Sequence, residues 1–153
     1  MQWLWDLLTN PLLVTALSSW LIAQGIKTVI HAIIYKKWDL ARLFGDGGMP
    51  SGHSATVTSL ATVSGLIYGF GSFPFALAAV LAVIVCHDAT GVRQETGKQA
   101  VMINELVRAF EALTTEDLPE VKLKEFVGHT PVQVMAGMLV GILNAVVMYF
   151  VFV

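Results

Sequence analysis

The chain has 153 residues, of which 56% are hydrophobic and 13% charged, and its mean hydropathy is +0.70. This balance excludes an ordinary soluble domain and points to a single compact domain, residues 1–153, embedded in a membrane. With a net charge of −2 and one cysteine, Cys86, the sequence offers neither the basic, aromatic-studded stripe of a nucleic acid binder nor a disulfide framework or cysteine-based metal site.

The opening stretch MQWLWDLLTN carries an acid and no base, which argues against a cleaved secretory signal, and Trp3 and Trp5 read as interfacial anchors. No residue from Pro11 to Ile26 is charged, which predicts a first span over about 10–31. Gly47 to Cys86 is free of Asp, Glu, Lys and Arg, enough for spans over about 51–70 and 73–90 joined by the turn GFGSFP at 69–74. Residues 91–113 place Val101, Leu106, Val107, Phe110 and Leu113 at helical spacings, as in an amphipathic continuation of the third span. TTEDLPEVKLKEF, residues 114–126, reads as a charged loop or short helix, and the last span begins near Pro131. The predicted fold class is all-α: an integral membrane helical bundle with about four transmembrane helices and a cytoplasmic helical extension.

All nine Lys and Arg residues fall in or beside the connections between spans 1 and 2 and between spans 3 and 4. Four crossings put both connections on one side, and the positive-inside rule makes that side cytoplasmic. The expectation is a multi-pass cell-membrane protein with both termini extracytoplasmic. Ala61, Gly65 and Gly69, and again Gly137, Gly141 and Ala145, recur every four residues. Such rows of small residues suit close helix packing within the chain or across a homodimer.

Chemistry concentrates at two predicted helix starts. In GGMPSGH, residues 47–53, Gly47 and Gly48 permit a tight turn, Ser51 is a good N-cap, and His53 stands in the first turn. Backbone N–H groups freed there favour an anion. In GHTPVQV, residues 128–134, capping accounts for Thr130, Pro131 and Gln133 but leaves His129 unexplained. Lys27 ends the first span, and CHDATGVRQETGKQA brings His87, Asp88, Arg93 and Lys98 to the end of the third. Arg and Lys neutralise phosphate, and a carboxylate such as Asp88 can orient a histidine. Ionisable groups at a membrane are functional candidates because their burial is costly.

The stretches GGMPSGHSATVTSLAT, DATGVR and GHTPVQVMAG together resemble the divergent membrane branch of the type 2 phosphatidic acid phosphatase and vanadium-dependent haloperoxidase superfamily, with PSGHS at 50–54 similar to its second signature. The resemblance implies a membrane phosphatase acting without metal or other cofactor on a phosphorylated lipid, either a lipid phosphate or a polyprenyl mono- or diphosphate. It implies His129 as nucleophile forming a phospho-His and His53 as general acid, with Ser51 and Gly52 holding phosphate oxygens. By charge alone, Asp88 is the candidate orienting carboxylate, and Lys27 and Arg93, with Gly48 of the turn, join Ser51 and Gly52 as the candidate phosphate-binding set. The chain departs from the first signature, since Ile34 and Tyr35 replace Arg-Pro after Lys27, and from the third, where Lys122, Leu123 and Gln133 stand for Ser, Arg and Asp. Fewer spans than the family's six-helix core would be completed by a homodimer.

Two other readings use the same residues. Gln133 in place of an acid suits a non-catalytic protein that binds an anionic or phosphorylated lipid, and polar groups at helix ends also suit transport of one. A metal site built from His87, Asp88, Glu95 and His129 ranks last, because no ligand spacing resembles a known one.

Overall fold

The computed structural model describes residues 1–38, 47–111, 113, 123 and 128–153, with the side chains of 92–94 outside that set. The segment 114–126, except Leu123, thus lies outside the described residues, as does Lys122 of the divergent third signature. Six helices are described: α1 (Gln2–Leu8), α2 (Pro11–Tyr35), α3 (Gly52–Tyr68), α4 (Phe73–Thr90), α5 (Val92–Glu111) and α6 (Pro131–Phe152). No strand occurs among the described residues.

Local chemistry accounts for most boundaries. Asn10 caps α2 by accepting from the N–H groups of Leu12 and Leu13, with Pro11 in the first turn, where its missing N–H costs nothing. Ser72 caps α4 in the same way through the N–H of Phe75. Thr130 and Gln133 form the reciprocal capping box foreseen for α6. Gly69 is not the last member of a small-residue row: it ends α3 with φ +86°, a conformation glycine adopts without a Cβ penalty. Gly91 separates α4 from α5, the predicted amphipathic extension. Gly97, Ala100 and Asn104 lie buried on one face of α5, and Asn104 donates to and accepts from the backbone of Leu123 at 2.9 and 3.0 Å.

Among the described residues, three helical stretches are long and apolar enough to cross a membrane: Pro11–Tyr35, a stretch beginning at Phe73, and Pro131–Phe152. The second predicted span, α3, is a helix of 17 residues, about 25 Å long and at the short end of the range for a bilayer crossing. It is also the packing centre of the bundle, touching α2, α4 and α6. Its buried residues include Ser54, Thr58, Ser59 and Ser64, and this small, polar content lowers its hydropathy while permitting close approach.

The row Gly137, Gly141 and Ala145 is buried within the chain against α3. A Cβ on Gly137 would lie 2.4 Å from the Ser51 carbonyl oxygen, and one on Gly141 would lie 2.4 Å from that of Ala55. The two helices therefore run parallel with their backbones nearly in contact, and α2 packs against both. Further along, the Asn144 amide donates to the hydroxyls of Ser18 and Ser19 at 2.9 and 2.7 Å and tethers α6 to α2.

Gly141→Ala is expected to lower the free energy of unfolding by about 1–3 kcal/mol, because backbone rather than a yielding side chain occupies the space. Gly25→Ala, with nothing within 4 Å of the new Cβ, is expected to be neutral or stabilising by up to about 1 kcal/mol. Denaturant unfolding of the purified protein in detergent checks both.

Candidate functional site

The parallel pairing of α3 and α6 brings their N-termini to one end of the bundle, where α2 and α4 finish. Ser51, wholly buried, is the junction. Its N–H donates to the Gln133 carbonyl at 3.0 Å, and its Oγ accepts from the N–H and hydroxyl of Ser54 at 3.3 and 3.0 Å. On the other flank, the His129 N–H donates to the Ala89 carbonyl at 3.0 Å. The start of α6 and the residue just before its cap are thereby held to α3 and α4 together.

The two predicted catalytic histidines meet in this frame. Their ring centroids are 5.9 Å apart at an interplanar angle of 77°. His129 is 5% exposed, whereas His53, in the first turn of α3, is exposed. The pair combines an enclosed imidazole with an exposed one at the positive ends of two helix dipoles, a setting that favours an anion.

Lys27 enters from α2 and is 7% exposed. Its aliphatic stem lies under Gly48, where an added Cβ would stand 3.4 Å from Lys27 Cγ and 3.5 Å from Cδ. Gly48 has φ +84°, so the turn needs glycine for its conformation as well as for this contact. Gly52 is crowded by α2: a Cβ there would lie 3.3 Å from Trp20 Cδ1 and 3.8 Å from Gln24 Oε1. The predicted phosphate-binding residues Ser51 and Gly52 thus have structural duties, capping α3 and admitting α2 beside it.

Asp88 is half-buried near the end of α4, adjacent to the Ala89 carbonyl that holds His129, while His87 is exposed. Arg93 is the second residue of α5, after Gly91 and Val92, and its side chain lies outside the described residues. Lys98 pairs with Glu95 at 2.6 Å on an exposed face of α5. Among the described residues, no group of three or more His, Cys, Asp or Glu could hold a metal ion.

Sequence reasoning missed Trp20 and Gln24, the α2 side chains beside Gly52. Their signal was present in a polar Gln inside an uncharged run, but only the helix crossing reveals which face it occupies. It also missed that Ser51, Ala55 and Ser59 form the α3 row receiving Gly137 and Gly141, because Ser51 drew attention as a cap.

The model of the divergent PAP2 family matches residues 8–144. This chain belongs to that family. It is 43% identical over 156 residues to the uncharacterized membrane protein YuiD of Bacillus subtilis (strain 168), an alignment covering 96% of this chain and 99% of the relative. No solved structure matches the chain. With about three apolar helices of spanning length and this likeness, it is a membrane protein of the divergent PAP2 family.

Gly48→Ala is expected to cost about 1–2 kcal/mol of stability through the positive φ alone. Gly71→Ala, with open space around the new Cβ, is the control expected to unfold as wild type does, each followed by thermal unfolding in detergent.

Proposed function

We propose that this divergent PAP2 protein is a metal-independent phosphohydrolase of a lipid phosphate or polyprenyl mono- or diphosphate. The observation that carries the reading is the His53–His129 pair, 5.9 Å between centroids, at the joined N-termini of α3 and α6. Lys27 beneath the adjoining Gly48 turn supplies a cation. A substrate with an anionic head and an apolar tail suits a polar site at the end of a bundle whose outer faces are apolar.

In the proposed reaction a neutral His129 nitrogen attacks phosphorus and forms the P–N bond while the bond from phosphorus to the leaving oxygen breaks. His53 donates its proton to that oxygen, so the lipid alcohol, or the lipid monophosphate from a diphosphate, departs neutral at that atom. Water then attacks the phospho-His with neutral His53 accepting its proton, the P–N bond breaks back to His129, and inorganic phosphate leaves. First-turn N–H groups of α3, Lys27 and Arg93 offset charge developing on the phosphoryl oxygens, and Asp88 orients a histidine. The site lies at the cytoplasmic face, with α3 as a fourth crossing and both termini extracytoplasmic, in keeping with the basic residues in the connections at this end. A homodimer supplies any further wall that the pocket requires.

One observation favours a non-catalytic alternative that binds or transports an anionic lipid. Gln133 stands where the superfamily signature has an acid, and its side chain accepts from the Thr130 N–H at 3.1 Å. It is engaged in the cap and supplies no carboxylate to His129.

Phosphate release by purified protein, with chelator present, from phosphatidate, phosphatidylglycerol phosphate and polyprenyl mono- and diphosphates separates the readings. His129→Ala is expected to abolish release. His53→Ala is expected to slow it by about 10²–10⁴-fold for lipid leaving groups and far less for a nitrophenyl ester, whose leaving oxygen needs no proton. Full activity in purified His129→Ala protein contradicts the nucleophile assignment, and binding of all these lipids without release favours the alternative.

A further inference from the structure

Two apolar grooves flank α3. One, of about 580 Å³, lies between α4 and α6 and runs from Thr90 and Pro131 to Phe70 and Phe75. The other, of about 480 Å³, lies between α2 and α4 and is lined by Leu17, Trp20, His53, Thr56, Val57 and Val85. Helices α2 and α4 do not touch among the described residues, and Leu17 at its rim is 61% exposed, so the second groove opens sideways toward lipid.

We propose that the smaller groove, not the larger, receives the hydrocarbon chain of the phosphorylated lipid. This inference rests on the phosphotransfer reading above. In an in-line displacement the nucleophile and the leaving oxygen stand on opposite sides of phosphorus. If His129 attacks, the oxygen bearing the lipid chain points away from it and toward the acid that protonates it, His53. The chain must therefore begin beside His53, which lines the smaller groove and no part of the larger one.

The walls fit that occupant. Trp20 packs on Gly52, immediately before His53, and gives the first carbons an aromatic face. Val57, one turn along α3, and Val85 from α4 continue an apolar surface. From His53 to Val57 the groove follows α3 for only about 6 Å. It grips the carbons nearest the phosphate and leaves the remainder of the chain in the bilayer through the gap between α2 and α4. Discrimination accordingly falls on the segment next to the phosphate, and lengthening the far end changes affinity little.

The test uses the purified full chain in detergent and a hexadecyl phosphate carrying a photoreactive diazirine near its phosphate, with adducts mapped by peptide mass spectrometry. Adducts are expected on Leu17, Trp20, Val57 or Val85, and to fall about tenfold or more with excess hexadecyl phosphate or when the same chain ends in an alcohol. Val85→Trp, which fills the groove, is expected to abolish them, while Ala82→Trp in the larger groove leaves them in place. Should Val85→Trp fail to fold, Leu17→Trp at the exposed rim is the equivalent block. Phosphate-dependent adducts on Met135 or Met138 instead, or none anywhere, overturn the proposal. Hydrolysis is followed in the same samples. Adducts in the smaller groove without hydrolysis uphold the groove and sink the catalytic reading, whereas hydrolysis with adducts in the larger groove does the reverse.

Discussion

The near contact of α3 and α6 backbones is the constraint on which the rest of the structure depends. Gly137 and Gly141 leave no room for a side chain opposite the Ser51 and Ala55 carbonyls, so the helices lock in one parallel register. That register seats the Ser51 N–H on the Gln133 carbonyl and places His53 against His129. In a bilayer, where lipid is as apolar as any leucine, helices associate through such close packing and buried hydrogen bonds rather than through hydrophobic burial.

The same physics explains the composition of the interior. The fully buried side chains include Thr15, Ser19, Ser51, Ser54, Ser59 and Ser64, while Leu21, Ile33, Val83, Leu139 and Phe150 are exposed. Small hydroxyl residues let helices approach and return hydrogen bonds to their own backbone, as Thr56 and Thr62 do to the carbonyls four residues earlier at 2.8 Å. Large apolar residues are left for the lipid. A bundle of this kind has little internal volume, and its grooves form where helices do not meet, between α2 and α4, or meet only briefly, between α4 and α6. The polar end, where Lys27 and the two histidines gather, is where an amphiphile would be held by its head.

Much of this was legible in the sequence because it is written in local chemistry. The start of α6 follows from Thr130, Pro131 and Gln133, the start of α4 from the turn GFGSFP, and the pairing of His53 with His129 from two helix starts on one predicted face. What was not legible depends on helix crossings. Gly69 fits the small-residue spacing of α3 but serves as its terminator, a distinction made by φ rather than by residue type. Trp20 and Gln24 look like ordinary members of a span until Gly52 is found beneath them. Ser51 and Gly52 matched a phosphate-binding pattern, and packing gives both of them duties that hold without any ligand.

The central claim is that the enclosed histidine of the pair carries a phosphoryl group. It is tested most directly by mixing purified protein with substrate lipid phosphate, quenching in alkali, which preserves phosphohistidine, and mapping the modified peptide by mass spectrometry. The account predicts one phosphoryl group on His129 during turnover, which disappears once substrate is exhausted. Phosphate release with no phosphoryl group on His129 at any time, or with it on another residue, would contradict the account.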